Sequence, residues 1–199
     1  MTLDEMISKT DKRKAGFTLM MEHLDKFENP FIVETGSIRP ESTYEGDGMS
    51  TLIFDTYANQ KGGKVFSVDI DPINSSFARQ QTTMTNVITG DSVKTLYDMQ
   101  KHWVTDDETI HLLYLDSYDF DIKNPHPSSL HHLMELTAVM PALKPGYTMI
   151  VVDDNVQAIK DGDATKRVIE IGKGFYIKYF MELIGKPRLY NGYQWVWVL

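Results

Sequence analysis

The feature that most constrains this fold is a series of short apolar runs, each ending in an acidic residue. Phe31-Ile32-Val33 meets Glu34, and Val65-Phe66-Ser67-Val68 meets Asp69. Ile110–Leu115 meets Asp116, and Met149–Val152 meets Asp153-Asp154-Asn155. Short β-branched runs set between helical patterns read as buried parallel strands. Such a sheet binds ligands outside the carboxyl ends of its strands. The chain therefore gathers carboxylates around one crevice, a pattern suited to a polar cofactor and a cation.

The remaining elements follow from periodicity and punctuation. Leu3, Met6, Ile7, Phe17, Met20, Met21, Leu24 and Phe27 recur at helical spacing, which predicts a helical region over 3–28 within an N-terminal extension, 1–29. The core spans 30–199 and begins with a strand at Pro30–Glu34. A polar loop, Gly36–Gly48, precedes a helix from about Ser50 to Ala58, closed by Lys61-Gly62-Gly63. Strand two is Lys64–Asp69, followed by a helix around Asn74–Thr85; strand three is Val87–Thr89, followed by a helix through Val93–Trp103. Strand four is Thr109–Leu115, and Ser128 or Ser129 is expected to cap a helix carrying Leu130, Leu133, Met134, Leu136, Met140 and Leu143. Strand five ends at Val152, and a long amphipathic helix is expected over Ala164–Ile184. Asn191-Gly192 between two apolar segments signals a closing hairpin. No repeat or linker interrupts the pattern, so residues 1–199 read as one domain.

Bulk properties narrow the function. The 199 residues suffice for a substantial core, and the formal net charge of −8 argues against nucleic acid as a partner. There is no cysteine, which excludes disulfides, thiolate nucleophiles and cysteine-ligated zinc. No apolar run has the length of a membrane span and the N-terminus carries no signal-peptide pattern, so a cytoplasmic location is the expectation. Adjacent helical residues do not share a face, so of His131 and His132 one should pack and the other be solvated. Trp195 and Trp197 alternate on a strand and read as core, and Asp106-Asp107-Glu108 as a solvated turn. Phe175, Tyr176, Tyr179 and Phe180 read as packing residues, with a homodimer interface left open.

The cofactor reading starts from strand ends one and two. A glycine turn after strand one brings backbone N–H groups to an anion, and an acid ending strand two accepts hydrogen bonds from a ribose diol. Glu34, Gly36 and Asp69 fit these roles, but Glu34-Thr35-Gly36-Ser37-Ile38-Arg39 lacks the contiguous G-x-G-x-x-G of a pyrophosphate site. An acid beside the first glycine suits a ligand with a cationic amine.

At this point the chain resembles the class I S-adenosylmethionine-dependent methyltransferases. The matching pieces are Val33-Glu34-Thr35-Gly36, Val68-Asp69-Ile70-Asp71, Thr89-Gly90-Asp91-Ser92, Tyr114-Leu115-Asp116, Leu143-Lys144-Pro145-Gly146 and the closing hairpin. The resemblance implies an α/β, Rossmann-like methyltransferase fold: a mostly parallel seven-stranded sheet, helices on both faces, and a C-terminal antiparallel hairpin. It implies that Glu34 and Gly36 hold the methionine moiety, Asp69 the ribose, and Asp91 and Ser92 the adenine, with Ser37 also binding the cofactor and Asp116 under the transfer site. Ser37–Asp47 is inserted relative to the family's glycine loop, which leaves Gly48, Ser50 and Thr51 as candidates to meet the carboxylate and makes the insert, with Arg39 and Tyr44, a candidate lid.

Asp116 and Asp154-Asn155 end adjacent strands in this topology, with Asp153 beside them. Two carboxylates and an amide oxygen make a hard oxygen shell suited to Mg²⁺, and the pattern is similar to cation-dependent small-molecule O-methyltransferases. The expected function is methyl transfer from S-adenosylmethionine to a hydroxyl of a small-molecule acceptor, with Mg²⁺ assistance. Asp116 and Asp119 are candidate catalytic residues, followed by Tyr118 and His126. The alternatives are an NAD- or nucleotide-binding Rossmann-like enzyme and a non-catalytic binding module. A DNA amino-methyltransferase is disfavoured, because Leu115-Asp116-Ser117-Tyr118 lacks the Asn/Asp-Pro-Pro-aromatic motif.

Overall fold

The computed structural model describes residues 1–159 and 168–199. Five parallel strands form the centre of the fold: β1 (Phe31–Thr35), β2 (Lys64–Asp69), β3 (Thr85–Thr89), β4 (Leu112–Leu115) and β5 (Met149–Val152). A short ribbon follows, β6 (Asn155–Ile159) with β7 (Val168–Gly172), and the chain closes with β8 (Tyr190–Asn191) and β9 (Trp195–Val198). Among the described residues, seven strands make one sheet in the order β3-β2-β1-β4-β5-β9-β8, with β9 antiparallel to both of its neighbours. The order reverses between β1 and β4, and that switch point opens a crevice at their carboxyl ends.

Alternation along the strands divides the core in two. Val33, Phe66, Val68, Leu113, Leu115, Ile150, Val152, Trp195 and Trp197 face one side. There they pack against α5 (Ser92–Thr105), α6 (His126–Val139) and α7 (Phe175–Leu183) through Leu96, Leu136, Ile177 and Met181. Ile32, Val65, Leu112, Tyr114, Met149, Val151 and Val196 face the other side. They meet α1 (Leu3–Ser8), α2 (Lys14–Leu24) and α3 (Ser50–Lys61) through Met6, Phe17, Met20, Leu24 and Phe54. Burial on both faces explains why the strands read as unbroken apolar runs. The remaining helix, α4 (Pro72–Gln81), joins β2 to β3. No helix among the described residues is long and apolar enough to cross a membrane.

Several expectations need correction. The helix expected over Ala164–Ile184 is two elements: Val168–Gly172 forms β7, paired antiparallel with β6, and the helix is only Phe175–Leu183. β-branched residues favour the strand and Gly172 and Gly174 break the helix, while 164–167 lie outside the described residues. The region 3–28 is likewise interrupted. A polar stretch from Ser8 to Lys14 offers no apolar residue for a helical stripe, so α1 ends at Ser8 and a 3₁₀ turn, Asp11–Arg13, leads into α2. Helix α6 starts at His126 rather than at a serine cap, because Pro127 suits a first turn. Ser128 and Ser129 are buried inside it, donating to the carbonyls of Tyr118 at 2.9 Å and Gly172 at 2.6 Å. The closing hairpin turns through Gly192-Tyr193-Gln194, a longer loop than Asn191-Gly192 alone.

Candidate active site

The crevice is lined by Gly36, Ser37, Arg39, Met49, Ser50, Asp69, Asp116, Ser117, Asp119 and Asp154, together with Arg13 and Lys173. Gly36 has φ +84°, and a Cβ there would lie 2.6 Å from the Asp116 carbonyl oxygen. A glycine is therefore required where the β1 and β4 ends meet. The Asp69 carboxylate accepts from the backbone N–H groups of Ser37 at 2.9 Å and Asp71 at 2.8 Å. It is fixed on the crevice edge with acceptor capacity left for a diol.

The insert re-enters α3 through Gly48 and Met49, both left-handed (φ +80° and +52°). This turn brings the α3 N-terminus to the crevice, where its N–H groups and dipole favour an anion. The insert is tied across the opening by Arg39, which donates to Asp119 at 2.6 Å. The space left open is about 60 Å³, against roughly 300–1,000 Å³ for most small-molecule sites.

Glu34 is below this surface. It is wholly buried, and its carboxylate accepts from the hydroxyls of Ser50 at 2.5 Å, Thr51 at 2.7 Å and Ser67 at 2.7 Å. Burial is the largest influence on it and pushes its pKa up to about 7, against the hydroxyl donors. Glu34 therefore braces the start of α3 against β1 and β2. Asp91 caps α5 by accepting from the Lys94 N–H at 2.8 Å, and the Ser92 hydroxyl is within 3.0 Å of His131.

The acidic rim assembles with an unexpected partner. Carboxylate oxygens of Asp116, Asp153 and Asp154 lie within 4.8 Å of one another. Adjacent residues at a strand end normally point apart, but Asp154 is left-handed (φ +51°), so it converges with its neighbour. The Lys173 ammonium contacts Asp116 and forms an ion pair with Asp154 at 2.8 Å. Arg13 donates to Asp153 at 2.7 Å, to Asp154 at 3.2 Å and to the Gly46 carbonyl at 2.6 Å. The Tyr193 hydroxyl also donates to Asp154. Burial opposes the charge of Asp154, but Lys173, Tyr193 and Arg13 outweigh it and hold its pKa down to about 2. Burial likewise opposes the Lys173 ammonium, and the surrounding carboxylates raise its pKa above the ordinary lysine value.

The donor set is therefore a poor fit for Mg²⁺. Two cations already occupy the carboxylates, and a divalent ion would face both. Asn155 is not free either. Its Oδ1 accepts the Gly174 N–H at 2.8 Å, and its Nδ2 donates to the carbonyls of Val152 at 2.8 Å and Asp153 at 3.0 Å. Three carboxyl groups share two cations, burial pushes the pKa of Asp116 well up and that of Asp153 up, and Asp153 Oδ1 has no partner among the described residues.

The candidate bases separate. Asp119 lines the crevice but is engaged by Arg39. Tyr118 is about half exposed, at 48%. His126 is exposed, beside the Tyr176 hydroxyl at 2.8 Å.

Sequence reasoning missed a second buried acid, Glu135 on α6. Its Oε1 accepts from the crevice-lining Ser117 at 2.5 Å and its Oε2 from Thr35 at 3.2 Å. Both histidines approach it, His131 at 3.3 Å and the buried His132 at 4.0 Å. The spacings i+4 and i+3 explain this: neither histidine shares a face with the other, but each shares one with Glu135. Burial opposes the charge on Glu135, yet the histidines and Ser117 bring its pKa below the ordinary value.

Fold and crevice define a Rossmann-like α/β protein with a polar crevice at the switch point of its sheet. No protein-family model matches the chain, and no curated protein matches it. Solved structures similar to it include a TehB-like S-adenosylmethionine-dependent methyltransferase from Corynebacterium glutamicum (16% identity, TM-score 0.47, 90% of this chain and 86% of that one). An epimerase from Methanothermobacter thermautotrophicus is 14% identical with a TM-score of 0.50, over 85% of this chain and 52% of that one. A Thermoplasma acidophilum protein is 9% identical with a TM-score of 0.46, over 98% and 93%. At such identities the likeness is one of fold.

Proposed function

We propose that this protein is an S-adenosylmethionine-dependent methyltransferase acting on a hydroxyl of a small molecule. The observation that carries the reading is Asp69, a carboxylate oriented by two backbone N–H groups beside the Gly36 turn and the α3 N-terminus. That set suits a ribose diol next to an amino acid's carboxylate. The sheet order, with antiparallel β9 between β5 and β8, supports it as well.

Held by Asp69, the Gly36 turn and the α3 N-terminus, the cofactor would supply an electrophilic methyl group for the acceptor oxygen and keep its sulfur as a thioether, while the acceptor's proton would have to be taken up. The chain's own groups offer that proton a route. Ser117 at the crevice hands its hydrogen bond to Glu135, which faces the partly exposed His131. A nucleoside-sized ligand needs more than the present opening, so the Ser37–Asp47 insert must swing outward. The exposed Arg39–Asp119 pair is the latch it releases, and exposed pairs of this kind are worth only about 0–1 kcal/mol.

Calorimetric titration with S-adenosylhomocysteine tests the reading. Micromolar binding is expected, weakened at least tenfold by Asp69→Ala. Absence of binding to folded protein, with NAD binding instead, would replace it with a nucleotide-enzyme reading.

A further inference from the structure

We propose that the Lys173 ammonium is the resident cation of the rim, standing where a divalent metal would otherwise sit and giving its most weakly engaged N–H to the acceptor oxygen. The part played by the acceptor rests on the methyltransferase reading; the substitution of lysine for metal does not.

The turn that carries Lys173 is built to deliver it. Gly172 has φ +151°, and a Cβ on it would lie 2.5–2.6 Å from Asn155 and the Asp154 carbonyl. A Cβ on Gly174 would lie 2.8 Å from the Trp195 ring and 2.9 Å from Asn155 Oδ1. Only glycine fits on either side of the lysine. The backbone is pinned three times: the Ser129 hydroxyl donates to the Gly172 carbonyl at 2.6 Å, the Lys173 N–H to the Asp154 carbonyl at 3.3 Å, and the Gly174 N–H to Asn155 at 2.8 Å. The side chain is 1% exposed, yet it lines the crevice beside Asp116, Ser117 and Asp119.

The residues that form a metal shell on paper are thus the receptacle of a lysine. Asp116 and Asp154 hold its ammonium, and Asn155 holds its turn. Two of its N–H groups go to these carboxylates. Among the described residues, the third has the Asp116 carbonyl at 3.4 Å, a weak contact that an acceptor oxygen can replace. A compact ammonium on a four-carbon stem can orient an oxygen as a point charge without being exchanged with solvent or removed by a chelator. Arg13 adds a second fixed charge that repels any arriving divalent ion.

The experiment is a titration of Mn²⁺ alone into wild-type protein and into Lys173→Met, read by the loss of the free-ion paramagnetic resonance signal. Wild type should take up no Mn²⁺ at micromolar concentration. Lys173→Met, which keeps the length of the stem and vacates the charge, should bind Mn²⁺ at least tenfold more tightly, and adding Asp116→Asn should abolish the gain. Micromolar uptake by wild type overturns the proposal. So does a folded Lys173→Met variant that gains no affinity. If that variant does not fold, Lys173→Arg is the companion: it keeps the charge and should remain as inert to Mn²⁺ as wild type, and uptake by it counts against the proposal. Titration of wild type with S-adenosylhomocysteine, with and without EDTA, separates the two claims. No binding in either arm sinks the methyltransferase reading and leaves the lysine assignment standing. Binding lost on EDTA sinks the lysine assignment.

Discussion

Arg13→Met should destabilise the folded protein by about 3–5 kcal/mol, the cost typical of stripping one partner from a buried ion pair. The guanidinium is 4% exposed and Asp153 is wholly buried. Asp153 Oδ1 has no partner among the described residues, so Arg13 is what balances this carboxylate. Methionine preserves most of the apolar stem, so the loss reports charge and hydrogen bonding rather than packing. Urea unfolding of wild type, Arg13→Met, Asp153→Asn and the double variant measures it. The double variant should recover much of the loss, because the carboxylate no longer needs a cation. A single-variant loss below about 1 kcal/mol would mean that Asp153 relaxes into water and that the rim is not dry. Arg13 also holds the Gly46 carbonyl, so its removal should loosen the insert and expose it to proteolysis.

Glu34→Gln should change the dependence of stability on pH. The folded pKa of Glu34 is raised to about 7, from an ordinary value of 4.5, chiefly by burial. Between those values the unfolded chain has released this proton while the folded chain keeps it. The folded state therefore loses stability as pH rises through this window, by about 3 kcal/mol in all at 1.4 kcal/mol per unit. Glutamine has no proton to release. The variant's stability relative to wild type should then rise by about 3 kcal/mol from pH 4.5 to pH 8, read as the difference between urea midpoints at each pH. A difference that stays flat would mean that the hydroxyls of Ser50, Thr51 and Ser67 already hold the carboxylate ionised at low pH.

Both residues show where sequence reading stops. The run Phe31-Ile32-Val33-Glu34 announces a strand and an acid at its end, and both are present. Which way that acid turns depends on three hydroxyls from α3 and β2, remote in sequence, and they draw Glu34 inward. Arg13 sits in a stretch with no apolar periodicity, and nothing local marks it as a partner for a residue 140 positions away. Gly172-Lys173-Gly174 did carry a signal. Two glycines around a lysine are poor material for a helix interior, and they mark a turn whose purpose is the residue between them. Glu135 had the weakest mark of all, since an acid on an amphipathic helix usually faces water.

By itself the sequence determined the central parallel strands, the helices between them, the closing hairpin, and the carboxylates at the strand ends. These are local matters of apolar runs, period and punctuation, and each is legible within a dozen residues. Tertiary structure alone decided what those carboxylates face. Asp116 and Asp154 meet Lys173, Asp153 meets Arg13, and Asn155 supports a turn. The reason is electrostatic. A buried carboxylate must be matched by a cation or a proton, and whether the match is a metal, an arginine or a lysine depends on which distant segment the fold brings within 3 Å, which no local pattern records.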